Sequence, residues 1–477
     1  MEKTNYFKRA IFVIGTLTIV RLILAYFLGL DGGPAYYAMW SRHLELSYFD
    51  HPAMTALLIR LSTSIFGWNS FGIKLPGILL FLGMTIFMYK SIKLLGGSDK
   101  GAFFSATLFN FTPWIASGFG VKASSPDIPF LFFYMLGFYY FLKLYKTGNS
   151  NYWYIIGLIT AFGFASKYKM IFIYIALFLS ITFIPKLRNE WKKPQLYISA
   201  FIGLLGIIPT VVWNIQNNFA SFQYHLVQRQ GNFGIKPLQL LKFLGNQLAI
   251  MGIFIPIILF TNAYKERKTT NGKLCIFFIA PAVVLFSFVA LFYGEPMQNW
   301  WASVYMILFV LYGLKKSLTK NDKRILYFEA VISIIGTIFY AYPFGIKLKE
   351  TTNFLDHHLF DKAATHLQKI IDEKNGNVYI GTPRYRTTAM LNVYMPNQKI
   401  YSMDYRKGDQ FQIWYNPKDL IGKDIIYIAG GSQAKQKPEE LFNADDIVLF
   451  DKQTYTYNPW FKRTFYFYEI KNYKGLK

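Results

Sequence analysis

The chain is 477 residues long, with 51 Lys plus Arg against 26 Asp plus Glu and a formal net charge of +25. Hydrophobic residues make up 53% and charged residues only 16%, whereas soluble domains carry about 25% charged residues. That balance excludes a disordered chain and an ordinary soluble enzyme, and a single cysteine, Cys275, excludes a disulfide scaffold.

A membrane-spanning helix needs about 20 mostly apolar residues. Segments of that kind run near 10–29, 74–90, 102–120, 127–145, 152–166, 169–185, 196–215, 240–262, 273–293, 299–314 and 324–342, which predicts about eleven transmembrane helices. The first reads as a retained helix, because it is long, carries Arg21 and lacks a small-residue cleavage site. Every second loop is basic, as in Lys186, Arg188, Lys192 and Lys193, and again in Lys315, Lys316, Lys320, Lys323 and Arg324. Basic loops face the cytoplasm, so the N-terminus lies inside and the region from about 345 lies outside. These loops and the polar tail account for the basic excess, and no Arg-rich stripe with interleaved aromatics points to nucleic acid. The expected organisation is a transmembrane part, 1–344, in the cytoplasmic (inner) membrane, and an extracytoplasmic tail, 345–477. In the tail, the helix-like stretch 361–372 precedes β-like runs at 377–381 and 424–429, which predicts a small α/β domain.

The outer loops carry more chemistry than connectors need. The first holds Asp31, the aromatics Tyr36, Tyr37 and Trp40, and Arg42. Asp50 and His51 come next, before an amphipathic stretch, Met54 to Phe66, suited to the membrane interface. Asp127 follows Ser125-Pro126 at the outer end of the fourth helix, as a helix cap or as a carboxylate of the same outer cavity. Lys167 lies between the fifth and sixth helices. It either snorkels to headgroups or meets a phosphate, and Lys167→Ala is expected to leave folded yield nearly unchanged. Trp213 and Arg229 follow the seventh helix, and Glu295 and Asn299 precede the tenth. Carboxylates, cations and aromatics on one face suit a phosphate-linked group and a hydroxylated ring. Arg21 is an intramembrane charge without an evident partner, and too few such charges occur for an ion pathway. A transporter or flippase of lipid-linked sugars is the alternative class, but it calls for deep polar groups and internal repeats.

The ordered set Ala35-Tyr36-Tyr37 with Trp40, Tyr48-Phe49-Asp50-His51-Pro52, Ser125-Pro126-Asp127, Ser166-Lys167-Tyr168, Trp213-Asn214, Ser221-Phe222, Asn299-Trp300, Arg384-Tyr385 and Gln412 with Trp414 resembles a known family. It is similar to bacterial relatives of the dolichyl-phosphate-mannose protein mannosyltransferases, the group that includes the lipid A aminoarabinose transferase. The resemblance implies a mainly α, GT-C type integral-membrane glycosyltransferase. Such an enzyme moves a hexosyl or pentosyl sugar from a polyprenyl-phosphate donor to an envelope acceptor on the outer side of the membrane. The acceptor would be lipid A or lipopolysaccharide, a glycan or a protein. The resemblance also implies catalytic roles among Asp31, Asp50 and Asp127, and donor-phosphate contacts from Lys167, Arg229 and His51. Tyr36, Tyr37, Trp40, Trp213, Glu295 and Asn299 would bind substrate. No cofactor is required, and there is room for a divalent metal between carboxylate and phosphate. One departure stands out. Relatives carry Asp-Glu directly before Ala-Tyr-Tyr, where this chain has Gly33-Pro34. Either a glycine turn brings Asp31 into that place, or Asp50 takes the role, or the chemistry has changed. The first is preferred, so Asp31→Asn is expected to be the more damaging variant.

Overall fold

The computed structural model describes residues 5–228, 232–252, 254–294, 296–349, 358–374, 378–403, 408–430 and 437–477. All eleven predicted segments are helical, but not all are long. Among the described residues, six helices are long and apolar enough to cross a membrane: Tyr6–Phe27, Ser70–Leu94, Asp127–Thr147, Pro194–Gln216, Thr270–Phe292 and Lys320–Ala341. The number is up to eight if two sharply bent pairs, Tyr168–Phe183 with Pro185–Lys192 and Pro237–Met251 with Phe254–Glu266, count as one span each.

The shorter segments have local causes. The segment predicted at 102–120 breaks after Phe111 into Pro113–Ile115 and a π-helical turn, Ala116–Val121. Pro113 has no N–H to give and drives Thr112 out of the helical region (ψ 118°). The segment predicted at 299–314 becomes a 3-10 turn, Gln298–Trp301, and a helix, Ala302–Tyr312, in which every residue is buried. A helix apolar on all sides sits inside a bundle. The helix Asp127–Thr147 lies beside it in the same core, through Phe130, Tyr134, Phe138 and Phe141. By contrast Tyr6–Phe27 and Lys320–Ala341 expose Phe12, Phe27, Tyr327 and Val331, the surface a lipid-facing helix presents.

Arg21 does have partners. Its guanidinium donates to the Asn110 side chain at 2.8 Å and lies over the Phe81 ring at 4.6 Å. Gly120 leaves space for it, since a Cβ there would stand 2.5 Å from Arg21 Nε.

The first outer loop is largely helical. Met54–Phe66 forms as expected. The glycine turn expected after Asp31 is instead the first turn of a helix, Gly32–Arg42, with Asp31 as its N-terminal flanking residue. The first four N–H groups of a helix have no partner within it, so Pro34 costs nothing there.

The tail contains seven strands among its described residues: β1 Tyr379–Thr382, β2 Ile400–Ser402, β3 Ile425–Gly430, β4 Phe442–Asn443, β5 Asp446–Asn458, β6 Phe461–Lys471 and β7 Gly475–Leu476. Five make one sheet in the order β2-β1-β3-β6-β5. β1 runs parallel to β2 and β3, with Ile380 opposite Ile400 and Ile426. The long β5–β6 hairpin adds antiparallel to β3. The helix Phe360–Glu373 buries Ala363, Leu367 and Ile371 in the same core as Ile380, Ile426 and Phe467.

This small α/β unit is not a separate appendage. Its core is continuous with Ala35, Tyr36, Met39 and Trp40 of the first outer loop. The helix Tyr385–Tyr394 packs on Gly32–Arg42, closely enough that a Cβ on Gly32 would stand 2.8 Å from Arg386 Cβ. That packing brings the tail over the site.

Candidate active site

Two short segments, 47–52 and 165–169, meet beside each other. Tyr48 to His51 form a tight turn, with Ser47 bridged to Pro52 and the Tyr48 N–H donating to the His51 carbonyl at 3.1 Å. The turn is held from two sides. Gln410 of the tail accepts the Phe49 N–H at 2.8 Å, and the His225 ring nitrogen Nε2 lies 2.8 Å from the Asp50 carbonyl. The following helix is tied to the Lys167 segment by the Met54 N–H, which donates to the Ala165 carbonyl at 2.9 Å. Asp50-His51 and Ser166-Lys167 are thereby fixed side by side.

The Asp50 carboxylate accepts a hydrogen bond from the Tyr36 hydroxyl at 2.7 Å, and that hydroxyl accepts the Gln410 N–H at 2.9 Å. Burial, reinforced by the Asp50 charge, raises the pKa of Tyr36 well above the ordinary phenol value, and Tyr37 is raised in the same way. Tyr36 therefore stays protonated and remains a donor to Asp50.

Asp127 is a buried charge centre. Lys167 Nζ lies 2.7 Å and Lys169 Nζ 3.2 Å from its Oδ1, while the Asn299 amide donates to Oδ2 at 2.6 Å. It sits at the positive end of its helix but makes no capping bond; Pro126 is the flanking residue. Lys167 is equally buried, at 6% exposure. It does not snorkel. Its burial removes the basis for expecting Lys167→Ala to leave folding untouched, because the substitution leaves the buried Asp127 to Lys169 and Asn299. Tyr168 is fixed by its hydroxyl, 2.8 Å from Ser221 Oγ.

Asp50, His51, Asp127, Lys167, Asn299 and Tyr37 line one cavity of about 730 Å3. Lys169 and His225 join them, and the tail contributes Tyr385 and Arg386. The wall is completed by Phe286 and Trp300, whose rings lie 4.7 Å apart. Three cations, Lys167, Lys169 and Arg386, stand against two carboxylates, so the cavity suits an anion. Among the described residues no three His, Cys, Asp or Glu side chains gather to hold a metal. The Asp127 oxygens already accept from two ammonium groups and an amide.

Other expected site residues lie elsewhere. Asp31 does not line the cavity; its Oδ2 accepts from Tyr340 at 2.7 Å and pairs with Lys122 at 3.0 Å. Nearby, Lys74 Nζ donates to the Leu28 and Gly29 carbonyls at 3.0 and 2.8 Å. Asp31 thus locks the end of the first helix to the last one. Tyr36 does not line the cavity; it touches it through its bond to Asp50 and its ring contact with Tyr385, 4.6 Å between centroids. Trp40 is fully buried and stacks on Tyr48 at 4.4 Å, and Trp213 donates its indole N–H to Glu45. Both are scaffold. Arg229 and Glu295 lie outside the described residues. Arg386 was not foreseen, since an exposed basic residue in a tail helix carries no local signal. Lys169 stands two positions from Lys167 in the sequence and joins it on Asp127.

The arrangement is that of a GT-C membrane glycosyltransferase fold. Residues 50–213, which hold Asp50, Asp127 and Lys167, match the family model for dolichyl-phosphate-mannose-protein mannosyltransferase. The whole chain superposes on ArnT from Cupriavidus metallidurans with a TM-score of 0.66 at 10% identity, covering 97% of this chain and 98% of that one. The same protein bound to undecaprenyl phosphate matches with a TM-score of 0.65 at 11% identity, over 96% of this chain and 97% of that one. The lipid A galacturonosyltransferase RgtD of Rhizobium johnstonii is 24% identical over 327 residues, 64% of this chain and 65% of that protein. The likeness is thus one of fold over nearly the whole chain and one of sequence to that family model over residues 50–213.

Proposed function

We propose that the protein is a polyprenyl-phosphate-dependent glycosyltransferase of the bacterial inner membrane. It moves a hexosyl or pentosyl unit to an envelope acceptor of the lipid A type on the outer side. The observation that carries this reading is the joint placement of Asp50 and the Lys167–Asp127–Lys169 cluster in one cavity between the membrane helices and the tail. The lipid-bound state of ArnT and the lipid A acceptor of RgtD support the choice of donor and acceptor.

The chemistry asks little of an acid, because a phosphate is already a good leaving group. An acceptor hydroxyl attacks the anomeric carbon, the bond from that carbon to the phosphate oxygen breaks, and the phosphate keeps the electron pair. Lys167 and Lys169 neutralise that charge, with Asp127 holding both ammonium groups in place until the donor arrives. Asp50, oriented by Tyr36, accepts the hydroxyl proton. Tyr37, Trp300 and Phe286 offer aromatic surface to the sugar. Carbohydrate transfer of this kind is a positioning problem, and the tail helix bearing Tyr385 and Arg386 forms one wall of the cavity.

Purified protein in detergent should release polyprenyl phosphate from a polyprenyl-phosphate sugar without any ion gradient. A deletion strain should lack one glycan substituent in envelope mass spectra. No turnover with any such donor, together with unchanged envelope lipids, overturns the reading. The outward-facing site has its own check: cysteines placed near residues 50 and 430 should label from outside, and one near 190 should not. Labelling of 50 and 430 from opposite sides excludes the proposed topology.

A further inference from the structure

A second, smaller cavity, about 180 Å3, lies between the C-terminal end of the helix Gly32–Arg42 and the tail. It shares its helix with the main site, Tyr37 facing one cavity and Met39 and Arg42 the other. The two are linked through Phe411, which lines the small cavity and lies 5.7 Å from the Tyr36 ring.

Its lining has a consistent chemistry. Arg42 and Lys399 are held by aromatic faces: Arg42 over Trp68 at 5.1 Å, and Lys399 over Tyr401 and Tyr415 at 5.0 and 4.9 Å. Among the described residues neither makes an ion pair, and no carboxylate lines the cavity. Asn392 and Gln398 add amides, and Phe411 and Tyr415 add rings. Lys399 also hydrogen-bonds Tyr401 and feels the charge of Asp419, but no carboxylate lines the cavity itself, so its two cations suit an anion. Amides and ring faces beside them are what hydroxyl groups and a sugar face need. The volume equals that of about six water molecules, room for one phosphate or carboxylate and part of a sugar ring.

We propose that this cavity is an acceptor subsite that binds an anionic group, phosphate or carboxylate, carried on a saccharide. The word acceptor rests on the transferase reading; the binding itself does not. Its place one helix away from Asp50 would hold a charged part of the acceptor while another part enters the main cavity.

Calorimetry on the full-length protein in detergent tests this with four soluble probes. They are a phosphorylated glucosamine disaccharide, a uronic-acid disaccharide, a neutral disaccharide and inorganic phosphate. At least one anionic disaccharide should bind about tenfold or more tighter than the neutral one and than phosphate alone. Which of the two binds tighter identifies the anionic group. Arg42→Gln/Lys399→Gln should weaken that binding at least about tenfold and leave undecaprenyl phosphate binding within about twofold. Should the double variant lose donor binding through misfolding, Lys399→Gln decides alone, since Lys399 is exposed. Equal affinity in wild type and variant, or phosphate binding as tightly as the disaccharides, overturns the subsite. Saccharide binding as expected, with no transfer from any donor, would instead remove the transferase reading and leave the subsite standing.

Discussion

Asp50→Asn should lower kcat by roughly a hundred- to ten-thousandfold, the usual contribution of a positioned general base, while the KM for donor stays within a few-fold. Asn keeps the size of the side chain and its bond from Tyr36, so the fold and the turn at 48–51 should persist; only proton acceptance is lost. Tyr36→Phe should cost less, because it removes the orienting hydrogen bond and leaves the carboxylate. Asp31→Asn reverses the order expected from the sequence. Its carboxylate is spent on Tyr340 and Lys122, outside the cavity, so its loss should lower thermal stability and change turnover far less than Asp50→Asn. Steady-state kinetics on the three variants, with melting temperatures alongside, check the assignment. If Asp31→Asn abolishes transfer at unchanged melting temperature while Asp50→Asn is mild, Asp50 is not the base.

The reason for the reversal lies in what sequence patterns carry. Apolar length was enough to place the eleven apolar segments as helical, and amphipathicity gave Met54–Phe66 with its observed ends. Thr112-Pro113 announced the break that the continuous reading of 102–120 passed over. Gly32-Gly33-Pro34 reads as a turn by local preference, and tertiary packing overrides it: the helix forms because Ala35, Met39 and Trp40 have the tail to pack on. The long β5–β6 hairpin lay outside the two β-like runs expected in the tail. The members of the site drawn from neighbouring motifs, Asp50, Asp127, Lys167 and Asn299, could be named from their order. Arg386 could not, because it joins them only through a helix-on-helix contact with Gly32 more than 350 residues away. Nor could the pairing of Lys167 with Asp127, since two oppositely charged residues 40 positions apart look the same whether they meet or face solvent.

That pairing sets the second large effect. Lys167→Ala should weaken donor binding by about ten- to a hundredfold, since a charge-assisted bond to phosphate is worth roughly 1.5–3 kcal/mol. It should also lower the melting temperature. Breaking a buried pair from one side costs about 3–5 kcal/mol when nothing else compensates; here Lys169 and Asn299 remain on Asp127, so the loss should fall below that range. The two consequences separate in a double variant. In Lys167→Ala/Asp127→Asn the carboxylate goes with its counter-ion; Lys169 loses its carboxylate but lines the cavity and keeps the Phe130 and Phe286 ring faces, so stability should recover in part. Donor binding should not recover, because the ammonium that meets the phosphate is still missing. Quenching of tryptophan fluorescence by undecaprenyl phosphate, with Trp300 in the cavity wall, measures the first quantity, and thermal unfolding in detergent measures the second. If the double variant regains both, Lys167 serves only to neutralise Asp127, and the phosphate must be held by Lys169 and Arg386. If it regains stability alone, the buried lysine is the donor's counter-ion and Asp127 is the residue that keeps it charged and in place before the lipid arrives.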